Sequence, residues 1–321
     1  MQKVLVIGSE GFIGKHVMYG FAGKFDVFRA DTKFCDDANY FRTDVTRHEE
    51  IQAVLDRFEP DVVLNLAGEY GIENGEEHPA RCFDINTTAV LRLCMECTKR
   101  GIRLVHLSTG DVYGELFDGL VMNEGIPIPV TAPRNLYSLS KLAGEGVVQN
   151  YRENYGLDAC IVRPFMVYGP GEPPSHYRSA MVRMCDAAAH GDRPLIVHRG
   201  AERAWMYVRD FVEALALVIE KGVGDYNIGS DDYLSLQRLA EMIVKEAERG
   251  EVIVTDPPAH HRSMMKRVDF ARIKALGWEP KVSVEEGVVR VIDWCRMLMG
   301  NARHSEDLFA YRDFARAYMG Y

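Results

Sequence analysis

No stretch of this 321-residue chain approaches the ~18 consecutive apolar residues of a membrane span. The best candidate, FVEALALVIE from Phe211, is interrupted by Glu213 and repeats at helical spacing. The start, MQKVLVIGSEG, has only the apolar run Val4–Ile7, too short for a secretory core, so a cytoplasmic location is expected. A disulfide framework is also missing. Seven cysteines, an odd number, are scattered at 35, 82, 94, 97, 160, 185 and 295. Cys94 and Cys97 form one CxxC, and one pair without a second makes a poor zinc site. On a helix they read as two small hydrophobes, so no metal is expected. Positive charge is in deficit: 38 Lys and Arg stand against 47 acids, a net charge of −9. That argues against nucleic acid as a partner, while leaving room for a local basic pocket for a small phosphate compound. Internal repeats and low-complexity tracts are absent too.

What is present is a chain of ordinary soluble composition, 47% hydrophobic and 26% charged, long enough for one large or two moderate domains. Its first half alternates short apolar runs with amphipathic stretches. KVLVIG, FDVFRAD, PDVVLNLAG, RLVHLST and LDACIVRP read as strands. Helices are expected over Phe12 to Phe25, HEEIQAVLDRF, CFDINTTAVLRLCMECTKRG and NLYSLSKLAGEGVVQNYRENYG. Such alternation predicts an α/β fold, a doubly wound parallel sheet with helices on both faces. After Pro164 the pattern changes. YGPGEPPSHYR reads as loop, and PLIVHRGAERAWMYVRD reads as short antiparallel strands.

Gly8, Gly11 and Gly14 follow the first strand and open a helix. Gly8 permits a tight turn, Gly11 lets a pyrophosphate approach the backbone, and Gly14 lets the helix pack closely. First-turn amides, those of Phe12 and Ile13 among them, then face the phosphates with the positive end of the helix dipole. The second strand ends in Asp31, whose carboxylate suits the ribose hydroxyls of NAD and repels the extra phosphate of NADP. Arg29 and Lys33 flank it and soften that preference. Asp44 and Val45 suit an adenine edge.

Tyr137 and Lys141 lie four apart in RNLYSLSKLAGE, on one helix face. An ammonium beside a phenol lowers its pKa from about 10, so the tyrosine can take a proton from an alcohol while hydride leaves the carbon. Ser108 and Thr109 end a strand, and the Thr109 hydroxyl could hold the same substrate oxygen.

These segments resemble the extended short-chain dehydrogenase/reductases, the NAD-dependent epimerase/dehydratase group acting on nucleotide sugars. The matching runs are GSEGFIG, NLAG, Asn86 in DINTTAV, STGDVYG, YSLSK, RPFMVYGPG, WMYVRD, YNIGS and LGWEPKVSVEEG, spread over about nine-tenths of the chain. The resemblance implies a Rossmann-type NAD domain over 1–164, rejoined by 203–229. It implies a smaller α/β substrate lobe from 165–202 and 230–321. It places Leu66, Ala67, Gly68, Lys141 and Pro164 at the cofactor. Tyr137 would be the base for oxidation at sugar C4, with Thr109 sharing the oxygen. Arg203, and Arg262 as a second arginine, would grip the nucleotide diphosphate, whereas His260 and His261 read as loop residues. The helices near 81–100 and 135–155 would pair two copies as a four-helix bundle, burying Leu91, Met95, Val147 and Val148.

Two positions depart from the family pattern. Met166 stands where an asparagine usually contacts substrate phosphates. Gly110-Asp111 stands where sugar 4,6-dehydratases carry an Asp-Glu or Ser-Glu pair. Asp111 is shorter than that glutamate by about one ångström of reach. It is either a turn-capping, solvent-facing acid or an acid/base. Three readings follow. The leading one is a nucleotide-sugar epimerase. The others are a 4,6-dehydratase or decarboxylase using Asp111, and a non-catalytic NAD-binding protein.

Overall fold

The computed structural model describes residues 1–117, 120–172, 179–191, 193–257 and 267–300. Seven parallel strands form the central sheet: β1 (Lys3–Ile7), β2 (Asp26–Asp31), β3 (Tyr40–Arg42), β4 (Val62–Asn65), β5 (Arg103–Leu107), β6 (Ala159–Pro164) and β7 (Gly224–Ile228). Their order is β7-β6-β5-β4-β1-β2-β3. The order of connection reverses between β1 and β4, and in such a sheet a crevice opens there, beyond the strands' carboxyl ends.

Alternate side chains of each strand enter different cores. Val4, Val6, Val62, Leu64 and Val105 join one cluster, with Val17 and Phe21 below α1 (Phe12–Gly20) and Phe211 and Leu215 of the helix Val208–Lys221. Leu5, Ile7, Val63 and Leu104 join another, under the helices His48–Phe58, Ala89–Arg100 and Leu136–Tyr155. This two-faced burial is the Rossmann-type architecture that the alternation predicts. A third cluster, centred on Trp205, Tyr168, Ile243 and Val288, forms a separate core from the helices Ala180–His190, Leu236–Ala247 and Val284–Gly300.

Several elements differ from the sequence expectation. The α1 helix ends at Gly20, short of Phe25. The long helix expected from Cys82 is broken into Pro79–Phe83, a π-helical turn over Asp84–Thr88, and Ala89–Arg100. The strands after Pro194 are short, but only Glu202–Ala204 pairs antiparallel, with Tyr233–Ser235. Leu195–His198 runs parallel to Val252–Thr255, and Met206–Tyr207 parallel to Val167–Tyr168. Partners distant in sequence set those directions, so adjacency along the chain misleads. Val148 is fully buried against its own sheet and Val147 packs on the same cluster, so Val148 has no surface left to offer a second copy. Leu91 and Met95 do face outward. Cys94 and Cys97 are buried, and burial pushes both thiols up, Cys94 to about 12. They are packing residues.

Candidate active site

The glycine loop lies at the carboxyl end of β1. Gly8 has φ +88°, a left-handed conformation that glycine adopts without strain. A Cβ there would sit 2.7 Å from Ala67 N, and one at Gly14 would sit 2.3 Å from Gly8 O. Both glycines are required by the protein's own packing. Gly11 differs: its Cβ would meet only Gly8 O, at 3.2 Å, and Gly11 is exposed. Its openness leaves the backbone accessible to a ligand. The helix that follows has no side-chain cap, so Phe12, Ile13 and Gly14 present first-turn amides uncapped by a side chain. The open Gly11 and the uncapped first-turn amides therefore make a cradle that fits a pyrophosphate.

Asp31 ends β2 beside that loop. Its Oδ2 accepts the amide of Glu10 at 3.0 Å, and Oδ1 accepts that of Lys33 at 3.2 Å. Arg29 pairs with Asp37 at 3.2 Å, donates to Cys35 Sγ at 2.8 Å and lies 5.6 Å from the Tyr40 ring centre. Asp44 Oδ1 accepts Thr46 N and Oγ1, at 2.9 and 2.7 Å. Burial opposes its charge, yet the Thr46 bonds and nearby Arg47 and Arg81 hold its carboxyl below the usual range. Val45 is core. Leu66, Ala67 and Gly68 follow β4 and are half-buried, and Pro164 ends β6.

The second constellation faces the first across the sheet end. Asn135 caps the helix Leu136–Tyr155 by accepting Ser138 N at 2.8 Å, and that helix carries Tyr137 and Lys141. Lys141 Nζ donates to Leu107 O at 3.1 Å. A Cβ on Gly68 would lie 2.6 Å from this nitrogen, so the NLAG glycine makes room for the ammonium. Burial lowers Lys141 to about 8, while Cys82 and Glu145 raise it. The Thr109 hydroxyl stands at the end of β5, and hydrogen bonding from its side chain favours the Tyr137 phenolate. Thr109 also accepts Asp111 N at 3.2 Å, and its Oγ1 lies 3.5 Å from Asp111 Oδ2.

Two expectations change here. A lowered tyrosine pKa was expected from Lys141, but Tyr137 is raised above its ordinary range. Burial is the largest cause and the charge of Asp111 the next, whereas the Thr109 bond lowers it. The cap of the turn is Thr109, not Asp111, whose half-buried carboxylate stands beside Thr109 and acts on Tyr137. Gly110 faces the other way: a Cβ there would lie 2.4 Å from the Phe165 ring, so no acid fits at that position.

Arg203 lies on Glu202–Ala204, half-buried, with Nη1 donating to Glu202 O at 2.7 Å. Arg262, His260, His261 and the tail 301–321 lie outside the described residues. Met166 has φ +47°, and its carbonyl accepts Met206 N at 3.1 Å. Asparagine enters this left-handed region more readily than methionine, so the backbone suits the residue that the family usually has.

Other residues belong to the site without a role assigned from the sequence. Asn86, inside the π-helical turn, is buried. Its Nδ2 donates to Glu69 O and Ser140 Oγ, both at 3.0 Å, and its Oδ1 accepts Glu69 N at 3.0 Å. It ties the segment after NLAG to the Tyr137 helix. Glu145, buried, forms an ion pair with Arg163 at 2.7 Å and accepts the Ser108 hydroxyl. Its spacing, four after Lys141, was a legible signal. The partner, Arg163 on β6, was not.

A doubly wound sheet, a glycine cradle and a Tyr–Lys helix define a dinucleotide-dependent enzyme of the short-chain dehydrogenase/reductase class. The chain belongs to the NAD-dependent epimerase/dehydratase family, whose model matches residues 4–229. It is 26% identical to the dTDP-glucose 4,6-dehydratase of Salmonella typhimurium, over 91% of this chain and 92% of that one. It is 28% identical to the putative UDP-glucose 4-epimerase of Methanocaldococcus jannaschii, over 91% and 98%. The solved UDP-glucose 4-epimerase of Thermus thermophilus, a complex with NAD, superposes with a TM-score of 0.77 at 26% identity, covering 92% of this chain and 99% of that one. The cofactor expectation agrees with these findings.

Proposed function

We propose that this chain is a nucleotide-sugar epimerase that oxidises its sugar at C4 with NAD and reduces it again. The observation that carries the reading is a single carboxylate after β5: Asp111 Oδ2 lies 3.5 Å from Thr109 Oγ1, while the Phe165 ring closes the Gly110 position. Tyr137, once ionised, takes the proton of the sugar hydroxyl, and Thr109 holds the same oxygen. Lys141, on the same helix face, holds a ribose hydroxyl of the cofactor. Gly8, Gly11, Gly14, Asp31 and the residues around them hold the cofactor, which supplies the oxidising equivalent. Arg203 grips the diphosphate. Inversion needs no further side chain, only a ketone that turns over between the two transfers. Elimination of water needs an acid and a base beside the ketone, and Phe165 blocks the second position at Gly110.

A 4,6-dehydratase or decarboxylase is the second reading. It is favoured by the place of Asp111, close to Thr109 and acting on Tyr137. Product analysis by NMR separates the two. The protein is incubated with NAD and UDP-, dTDP-, GDP- and CDP-hexoses and hexuronic acids. An inverted stereocentre with no atoms lost is expected. A 4-keto-6-deoxy sugar or a pentose would replace the first reading by the second.

A further inference from the structure

The helix Ile72–Glu77 follows the NLAG segment and packs on the start of the Tyr137 helix. Its contact residue is Gly75, which is buried. A Cβ built on Gly75 would lie 2.7 Å from Tyr137 Cβ, 2.8 Å from Tyr137 N and 3.0 Å from Tyr137 Cα. The neighbours are therefore the backbone and first side-chain carbon of the tyrosine itself. One residue on, Glu76 Oε1 accepts the amide of Leu136 at 3.0 Å. That amide is among the first-turn donors, which have no partner within the helix. Asn135 takes Ser138 N, so two acceptors from different segments fix one helical turn. At its other side the short helix is anchored to the cofactor side of the site. Asn74 donates to Glu69 Oε2 at 2.7 Å, and the Glu69 backbone is held from both sides by Asn86.

We propose that the Ile72–Glu77 helix is a positioning clamp that sets the depth of Tyr137 in the site, with Gly75 as its contact and Glu76 as its tie. The helix links the end of β4 to the turn that carries Tyr137, so it fixes the tyrosine relative to the cofactor strands. Glycine at 75 is required by distance and not by backbone conformation, because even the smallest side chain would strike Tyr137. To reach 3.4 Å, ordinary contact, a methyl group at 2.7 Å must open the gap by about 0.7 Å. A displacement near 1 Å costs a reaction of this kind on the order of 100-fold in rate. Gly75 meets the Tyr137 backbone and Cβ, and Glu76 holds the Leu136 amide, so both act through the placement of Tyr137.

The kinetic consequence rests on the epimerase reading, whereas the geometric one does not. The test uses the full chain purified with NAD and carrying 13C at the tyrosine Cζ. The Tyr137 NMR signal is the one lost in Tyr137→Phe. Gly75→Ala is expected to displace that signal while leaving NAD affinity unchanged. On a substrate found in the sugar panel, kcat should fall on the order of 10-fold or more, with KM within about two-fold. An unmoved Tyr137 signal, or an unchanged kcat, overturns the clamp. If Gly75→Ala does not fold, Glu76→Ala takes its place. It should move the same signal in the same direction by less, and no movement overturns the proposal. A panel without product counts against the epimerase reading alone, because the Tyr137 signal reports on the clamp without turnover.

Discussion

Asp111 carries one negative charge into a site built around a buried phenol. Burial of Tyr137 and, after it, the charge of Asp111 hold the phenol in its protonated form. A base must ionise before it works, so the rate should rise with pH toward the Tyr137 pKa. Asp111→Asn removes one of the raising causes, and the rising limb of kcat/KM against pH should shift to lower pH with activity retained. Abolished turnover at every pH would instead assign Asp111 the second proton transfer. Tyr137→Phe should lower kcat by two orders of magnitude or more while NAD stays bound, on the general magnitude of acid–base catalysis. Full activity in that variant would revive the non-catalytic reading. The glycines separate by the same kind of argument. Gly14→Ala collides with the loop backbone at 2.3 Å and should destabilise the fold, whereas Gly11→Ala meets protein only at 3.2 Å. Its loss should appear in NAD affinity by calorimetry, with little change in the melting temperature.

At the scale of elements, the Tyr137 helix is held by more than its own propensity. Asn135→Ala removes the N-cap and should cost about 1 kcal/mol in urea unfolding. Glu145 lies two turns beyond the tyrosine and is 1% exposed, against 3% for its partner Arg163. Arg163 Nη1 also donates to Tyr113 OH at 3.0 Å. Glu145→Ala would leave the buried Arg163 guanidinium with only its longer ion pair, to Asp225 at 3.8 Å, at a cost of up to roughly 3–5 kcal/mol. A loss below 1 kcal/mol would mean that water reaches the site. The glycine loop and the strand alternation were legible because both are local patterns. The break of the expected 81–100 helix at Asp84–Thr88 was not, because its sequence keeps helical spacing. What goes with the break is Asn86, whose side-chain partners lie at 69 and 140.

At the scale of the whole molecule, His16 and His106, both buried, set an acid limit. Burial lowers His16 to about 4 and His106 to about 3, from an ordinary value near 6.5. Between those values the unfolded chain binds more protons than the folded one, so stability rises with pH there. It is complete above about pH 6.5 and is lost as pH falls toward 4 and then 3. The melting temperature should be lower at pH 5 than at pH 7.5, and equal values would contradict this account. Assembly belongs to the same scale. We propose a homodimer through the helices Ala89–Arg100 and Leu136–Tyr155, with Leu91, Met95 and Tyr155 exposed at 36, 42 and 61%. Light scattering should give twice the chain mass, and Met95→Lys should reduce it to one. The sequence by itself determined the α/β class, the glycine cradle, Asp31 at the end of β2 and the Tyr137–Lys141 face. Each of these is written in residues a few positions apart, or in a period that one strand or helix imposes. Only the tertiary structure decided that the charge of Asp111 acts on Tyr137, that Gly110 backs onto Phe165, that Val148 belongs to its own sheet and that Gly75 touches Tyr137. Those facts are distances between segments far apart in the chain, and no local period encodes them.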